Sequence, residues 1–280
     1  MSEPADVSKP GTLNPAQVGE LYDNMNWLFD ILMGSNRHIG YWGRADDPDA
    51  APEDRFTDYL IAHLAVGQGA RVLDVGCGAG GPTVRLARST GAWVTGITVS
   101  GEEVRSGIAL AEAEGVADLV RFEQVDAMKL PHADGSFDAV WAIESLMYMP
   151  DRVACLREIR RVLAPGGALV FSDYTERLPL GPEQRATLVE TFRLDSLSRP
   201  GDYDDILPEI GFEDIRAYDL SEQLRRTCEE NDRQLPEKMR KVAEEAGEKF
   251  SAHYRDHELR ASALEHDYLG YVVMVAHVPA

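Results

Sequence analysis

A short apolar strand that leads straight into a glycine-rich turn constrains this chain more than any other feature. Residues 72–75 are apolar around Asp74, and four of the next six residues are glycine: Gly76, Gly78, Gly80 and Gly81. Glycine lets the backbone adopt positive φ angles and approach a ligand closely. A strand, a glycine turn and a following helix form the nucleotide-binding pattern of α/β folds. Because Asp74 precedes the first glycine, the turn suits a ligand with a positive centre better than a pyrophosphate.

The rest of the chain supports an α/β fold. From Arg71 onward short apolar segments alternate with helical ones, which predicts a parallel sheet with helices on both faces. Amphipathic helices are predicted over 15–33 and 53–66. A charged helical segment over 221–261 is too long for a hairpin turn. The predicted strands that follow the glycine turn are 93–100, 120–127, 136–145, 168–173, 212–220 and 268–278.

The order and spacing of these motifs resemble the class I S-adenosylmethionine (SAM) dependent methyltransferases, particularly those acting on small molecules and secondary metabolites. The resemblance rests on the glycine turn and on segments 93–100, 120–127, 136–145 and 161–170. It implies a Rossmann-like, seven-stranded, mostly parallel sheet with helices on both faces, a helical lid, and SAM as cofactor. It also implies a helical cover (1–66), a SAM-binding core (67–175) and a remainder (176–280) with lid insertions at about 176–210 and 221–261.

The resemblance further implies which residues meet SAM. Glu103 takes the place of a glutamine in the related enzymes, and it either accepts from the ribose hydroxyls or only complements the dipole of its helix. Tyr22 and Trp42 resemble a cover that closes over SAM; the alternative for Tyr22 is a buried helix aromatic. The other implied cofactor residues are Asp74, Gly76, Gly78, Gly80, Thr98, Asp126, Ala127 and Ile143.

The acceptor side departs from the resembled pattern. Where sugar and other O-methyltransferases carry histidines, this chain has Met147 and Tyr148. The candidate catalytic residues are therefore Asp173, Tyr148 and Glu144. Without a histidine base we favour a carbon or nitrogen acceptor in a rather apolar pocket, and a diphosphate-bearing acceptor has support only from local residues such as Arg37.

Three alternatives stay open at this point. The first is an O-methyltransferase that uses Asp173 or Tyr148 as base. The second is a SAM-binding cyclase that transfers no methyl group. The third is a nicotinamide-dependent oxidoreductase, against which the spacing of the glycines speaks.

Composition excludes other classes. The chain has 28 basic and 48 acidic residues, a net charge of -20, and so acidic a surface repels nucleic-acid phosphates. Cys77, Cys155 and Cys228 lack metal-ligand spacing, and we expect no metal. No signal peptide or membrane span is evident, so we expect a cytoplasmic protein with a small-molecule acceptor. Residues 1–13 are expected to be disordered, and the apolar face of the first helix suggests a homo-oligomer contact.

Overall fold

A computed structural model of the protein describes residues 15–43 and 50–280; the expected disorder of residues 1–13 lies outside this part. The strands are β1 (Arg71–Val75), β2 (Trp93–Thr98), β3 (Val120–Gln124), β4 (Phe137–Ile143), β5 (Leu163–Glu176), β6 (Glu213–Asp219) and β7 (Leu269–His277). The helices are α1 (Pro15–Leu32), α2 (Pro52–Leu64), α3 (Gly81–Thr90), α4 (Gly101–Ala113), α5 (Arg152–Val162), α6 (Pro182–Phe192), α7 (Asp202–Glu209), α8 (Ser221–Ala246) and α9 (Glu248–Tyr268). A single 3-10 turn, Leu146–Tyr148, follows β4.

The predicted seven-stranded, mostly parallel sheet is confirmed. Its strand order is β3-β2-β1-β4-β5-β7-β6. The first five strands are parallel, whereas β7 runs antiparallel to both β5 and β6. The strand order reverses between β1 and β4, and ligands of such sheets bind outside the carboxyl ends of the strands at this point.

Most element boundaries differ from the sequence prediction by a few residues, and two differ by more. Strand β5 begins at Leu163 rather than 168, since the segment with Pro165 and two glycines is already extended beside β4, with a register shift there. The predicted lid segment does not end at 261, because α9 continues to Tyr268 and runs directly into β7. The lid is thus rigidly joined to a central strand.

A separate small core holds α1 against the lid. Leu28 and Leu32 of α1 are buried with Leu235, Met239 and Val242 of α8. Hydrophobic burial of this kind is the main source of stability for such a contact. The apolar face that suggested an oligomer contact is therefore covered within the chain itself, and oligomerisation stays a prediction.

No helix in the described part of the chain combines the length and the apolarity needed to cross a bilayer.

Candidate functional site

The carboxyl ends of β1 to β4 surround a cavity of about 130 Å³, which we call the glycine-turn cavity. Its floor is formed by residues that follow each of these strands. Val18 and Tyr22 of α1 close it from above. Of the residues that sequence reasoning assigned to the cofactor, those that line it are Tyr22, Gly76, Gly78, Thr98, Glu103, Asp126, Ala127 and Ile143.

The three glycines of the turn have different environments. A Cβ on Gly76 would lie 2.4 Å from the Cβ of Ser145, and one on Gly80 would lie 2.7 Å from Phe122. A Cβ on Gly78 would meet only open space and Glu103 Oε1 at 3.9 Å. All three have positive φ angles. The turn therefore presents its backbone to the cavity at Gly76 and Gly78. Gly80 does not line the cavity and lets α4 and β3 pack against the turn, so its cofactor role stays a prediction.

Asp74 lies behind the glycine turn rather than on the cavity surface. It is 2% exposed, and Thr83 Oγ1 donates to its Oδ2 at 2.5 Å. Burial raises the pKa of this carboxyl to about 6, although the hydrogen bond from Thr83 opposes the shift. In this position Asp74 fixes the turn to the start of α3, and its assignment to the cofactor stays a prediction.

A carboxylate at the start of α4 is held from two sides. Thr98 Oγ1 donates to Glu103 Oε2 at 2.6 Å, and Arg37 Nη1 donates to Oε1 at 3.0 Å. Burial raises the pKa of Glu103, while the bonds from Thr98 and Arg37 lower it. Arg37 also donates to Asp30 and Asn26 of α1. Glu103 is therefore more than a helix N-terminal acid, because it ties the cover to the cavity.

The end of β3 supplies a second carboxylate to the glycine-turn cavity. Asp126 Oδ1 accepts from the backbone N–H of Met128 at 2.9 Å, which fixes the turn after the strand. Ala127 is buried beside it, and Ile143 at the end of β4 forms the facing wall. This part of the cavity is flat and apolar with one acceptor group at its edge.

A second cavity, of about 250 Å³, lies between α1, α6, α8 and α9, and we call it the lid cavity. Its walls are mixed: apolar side chains such as Leu21, Phe29 and Leu224 alternate with polar ones. Five residues line both cavities: Val18, Tyr22, Arg37, Glu144 and Tyr148. The two spaces are therefore neighbours, separated only by these side chains.

Two tyrosines form part of this shared wall. A hydrogen bond links the phenols of Tyr22 and Tyr148. Burial, together with the charge of Glu103, raises the pKa of Tyr22 to about 12, and burial also raises that of Tyr148. Both phenols are thus neutral near pH 7, which makes Tyr148 a poor base but a suitable hydrogen-bond donor.

Glu144 is the most unusual residue of the shared wall. It is a non-glycine residue with a φ of 48°, a strained conformation that occurs preferentially at functional sites. Its Oε1 accepts from the N–H of Ile39 at 2.9 Å and from the phenol of Tyr271 at 2.7 Å. Burial raises its pKa to about 8 against the effect of these two bonds.

Asp173 does not have the position that sequence reasoning assigned to it. It is fully buried in β5, lines neither of the two cavities, and accepts hydrogen bonds from the phenol of Tyr203 and the N–H of Tyr174. The side chain faces α7 because residues along a strand alternate between the two faces of the sheet. This environment favours a structural role for Asp173, and its catalytic role stays a prediction.

Trp42 is likewise displaced from its predicted role. Its Nε1 donates to Thr227 Oγ1 at 3.0 Å, and its backbone N–H donates to Gln223 at 2.6 Å. It lines neither of the two cavities. Trp42 therefore anchors the loop to α8, and the loop residue that reaches both cavities is Arg37.

Among the polar residues of the lid cavity that sequence reasoning missed are His38 and Glu265. Burial lowers the pKa of His38 to about 4 and raises that of Glu265 to about 7. The sequence did carry a signal for Glu265. This acid lies in the last turn of α9, the helix that leads directly into the apolar strand β7. The sequence shows no corresponding signal for His38, because its burial depends on contacts with α2.

Comparison with known proteins agrees with this arrangement. A family model described as a methyltransferase domain matches residues 73–171. Methyltransferase GfsG of Streptomyces halstedii is 42% identical over 217 residues, covering 75% of this chain and 78% of the relative. The chain belongs to the SAM-dependent methyltransferases. The 27-O-demethylrifamycin SV methyltransferase of Amycolatopsis mediterranei is 40% identical over 225 residues, covering 78% and 80% of the two chains.

Solved structures of this methyltransferase family match nearly the whole chain. The [4+2]-cyclase SpnF is 31% identical with a TM-score of 0.82, covering 98% of this chain and all of its own. The geranyl diphosphate C-methyltransferase of Streptomyces coelicolor has a TM-score of 0.70 at 22% identity, covering 96% and 99% of the two chains, which supports the fold. The enzyme is a SAM-dependent methyltransferase of the natural-product type, and SAM is its cofactor.

Proposed function

We propose that this methyltransferase transfers the methyl group of SAM to a hydroxyl oxygen of a largely apolar natural product, with Glu144 as the base. The observation that carries the proposal is the position of Glu144 in the wall shared by the two cavities. A base for this chemistry has to reach the acceptor at the point where it meets the cofactor.

The glycine-turn cavity fits SAM. Gly78 leaves open space where a side chain would stand, so that its backbone is available to the methionine part. We assign Thr98 and Glu103 to the ribose, and Asp126 with Ala127 to the adenine and its amino group, since all four line this cavity. When bound, SAM supplies a methyl group on a sulfonium, a reactive electrophile with a neutral sulfide as leaving group.

The protein then has to position the acceptor, exclude water and take up one proton. Both hydrogen bonds that the described residues donate to Glu144 go to Oε1. Oε2 is therefore the atom that we assign as the acceptor of the hydroxyl proton. A pKa of about 8 makes this carboxylate a stronger base than an exposed glutamate once it is ionised. Tyr148, which stays neutral, would orient the acceptor.

Oxygen is our choice of acceptor atom for two reasons. The missing histidine, which favoured a carbon or nitrogen acceptor, no longer argues against a hydroxyl because Glu144 provides a base. Relatives such as the 27-O-demethylrifamycin SV methyltransferase and the O-methyltransferase resE of Aspergillus sclerotiorum carry the oxygen in their names. The lid cavity, with leucine, phenylalanine and tyrosine side chains in its walls, suits a mostly apolar acceptor.

The test is product mass. The purified chain is incubated with SAM and 27-O-demethylrifamycin SV, and the product is analysed by mass spectrometry. We expect a gain of one methylene unit, and Glu144→Gln should lower the rate about 100-fold or more. Glu248→Gln, which makes the same change at an exposed position outside both cavities, should keep the rate within a factor of about two. Equal rates for the wild type and the Glu144 variant would exclude Glu144 as the base.

A cyclase without methyl transfer is the second candidate, favoured by the likeness to SpnF over nearly the full length of both chains. In a cyclase, the substrate is rearranged at constant mass and SAM is not consumed. A product isomeric with its substrate, formed without release of S-adenosylhomocysteine, would support this candidate over ours.

A further inference from the structure

The lid cavity is an elongated groove between α8 and α9. Residues of α8 line it at helical spacing from Leu224 to Lys238, and residues of α9 line it from Tyr254 to Glu265. With a rise of 1.5 Å per residue, the α8 side alone extends roughly 21 Å. A groove of this shape suits a long, narrow molecule rather than a compact one.

The two ends of the groove differ in chemistry. Helix α9 runs directly into β7, so Glu265 lies at the end next to the sheet, and Cys228 Sγ donates to its Oε2 at 3.6 Å. Leu224 and Cys228 at this end are buried. Towards the other end, Asp232 is exposed and Lys238 is half-buried. A mostly apolar acceptor whose reacting hydroxyl lies at Glu144 would therefore place a second polar group beside Glu265.

The charges around Glu265 favour an uncharged partner. Burial raises its pKa to about 7, and besides burial the carboxylates of Glu258 and Asp232 raise it, whereas bonds from Tyr174 and Cys228 lower it. The two charged groups named here, Glu258 and Asp232, are both negative. A carboxylate or phosphate in this place would meet repulsion from Glu265, Glu258 and Asp232.

We propose that Glu265 is a specificity-determining residue of the acceptor site, whose carboxyl group hydrogen-bonds an uncharged hydroxyl or carbonyl oxygen of the acceptor. The same group excludes an anionic acceptor, such as a diphosphate, from this end of the groove. This inference rests on the proposed function, because it takes the lid cavity as the acceptor site.

Three matched probes test it by calorimetry on the full chain saturated with S-adenosylhomocysteine: 1,10-decanediol, 1-decanol and 10-hydroxydecanoate. In the wild type, the diol should bind about fivefold tighter than the mono-alcohol, because its second hydroxyl adds one hydrogen bond. In Glu265→Leu this ratio should fall to about one. The carboxylate should be the weakest of the three, and in Glu265→Gln it should bind about tenfold tighter than in the wild type.

Glu248→Leu is the matched control, at an exposed position of α9 outside the lid cavity, and it should keep the preference for the diol. If Glu265→Leu does not fold, the glutamine variant alone decides through its affinity for the carboxylate. An unchanged ratio in Glu265→Leu, a wild type that prefers the carboxylate, or no binding of any probe would overturn the proposal. A wild type that does not bind S-adenosylhomocysteine would instead contradict the proposed function. The failure of this proposal and the failure of the proposed function are therefore distinguishable.

Discussion

Arg37 and Glu103 form a nearly buried ion pair that joins the cover to the glycine-turn cavity. Arg37 Nη1 lies 3.0 Å from Glu103 Oε1, and the two side chains are 9% and 5% exposed. Arg37 Nη2 also lies 2.9 Å from Asp30 Oδ1, and the guanidinium carbon lies over the Phe29 ring, 5.3 Å from its centroid. Since Glu103 is also the residue assigned to the ribose, this contact links α1 directly to the cofactor site.

Replacement of this arginine should weaken cofactor binding. In Arg37→Met, Glu103 loses a charge-assisted hydrogen bond worth about 1.5–3 kcal/mol. Helix α1 loses the hydrogen bonds by which Arg37 links it to Glu103. We expect the affinity for S-adenosylhomocysteine, measured by calorimetry, to fall at least about tenfold. Arg71→Met is the control, since the Arg71–Asp138 pair is exposed and contributes little. Equal affinities in the two variants would show that the Arg37 contact does not support the site.

Whether Gly19→Ala raises or lowers the stability of the protein depends on the tertiary structure around α1. A Cβ on this residue would lie 2.6 Å from the carbonyl oxygen of Val99, beside the glycine-turn cavity. Helix propensity alone predicts that Gly19→Ala stabilises α1 by about 1 kcal/mol. The clash predicts the opposite: α1 is displaced, and affinity for S-adenosylhomocysteine falls.

Calorimetry and thermal unfolding check the Gly19 prediction. Gly67→Ala is the control, because a Cβ there meets no atom within 4 Å, and it should leave the affinity unchanged. A Gly19 variant that binds as tightly as the wild type and melts higher would mean that α1 does not approach Val99 closely.

Stability should fall as pH rises from about 6.5 to 9. The folded-state pKa is about 8 for Glu144 and about 7 for Glu265, both raised by burial above the ordinary value of 4.5. The folded protein therefore binds more protons than the unfolded chain, and the stability that the neutral acids provide is lost as pH passes through their folded-state pKa values. Urea unfolding at several pH values measures the effect.

Glu144→Gln should reduce this pH dependence, because an amide accepts the same two hydrogen bonds but does not ionise. The remaining slope in the variant reports mainly on Glu265. A wild-type stability that rises between pH 6.5 and 9 would contradict the raised pKa values.

We expect Asp173 to contribute to the free energy of unfolding and not to cofactor affinity. The phenol of Tyr203 donates to it inside the sheet–helix interface, and removal of one partner leaves a buried polar group unsatisfied at a cost of about 1–3 kcal/mol. We expect this loss in the free energy of unfolding for both Asp173→Asn and Tyr203→Phe, with S-adenosylhomocysteine affinity unchanged. A large loss of affinity at preserved stability would return Asp173 to the active site.

The residues of the glycine-turn cavity could be predicted because they follow strands within one continuous motif. Gly78, Thr98, Asp126 and Ile143 each lie within a few residues of a strand end, and parallel strands bring their carboxyl ends to one edge. Asp173 also follows this rule in sequence, but the side on which its carboxyl points depends on the strand register. Its register with β7 and the approach of α7 turn it to Tyr203.

The lid cavity could not be read from the sequence in the same way. Its wall combines Arg37, Glu144, Cys228 and Glu265, which lie far apart in the chain and on four different elements. The amphipathic pattern of α8 and α9 shows that each helix buries one face. It does not show which other elements that face packs against.

The sequence by itself determined the α/β class, the cofactor and the position of the glycine turn, because these depend on local periodicity and on residues close together in the chain. Only the tertiary structure decided that Glu144 faces both cavities, that Asp173 and Trp42 face neither, and that Glu265 lies at the inner end of the groove. The physical reason is that burial and long-range hydrogen bonds set the orientation and the pKa of these groups, and both arise only when distant segments pack together.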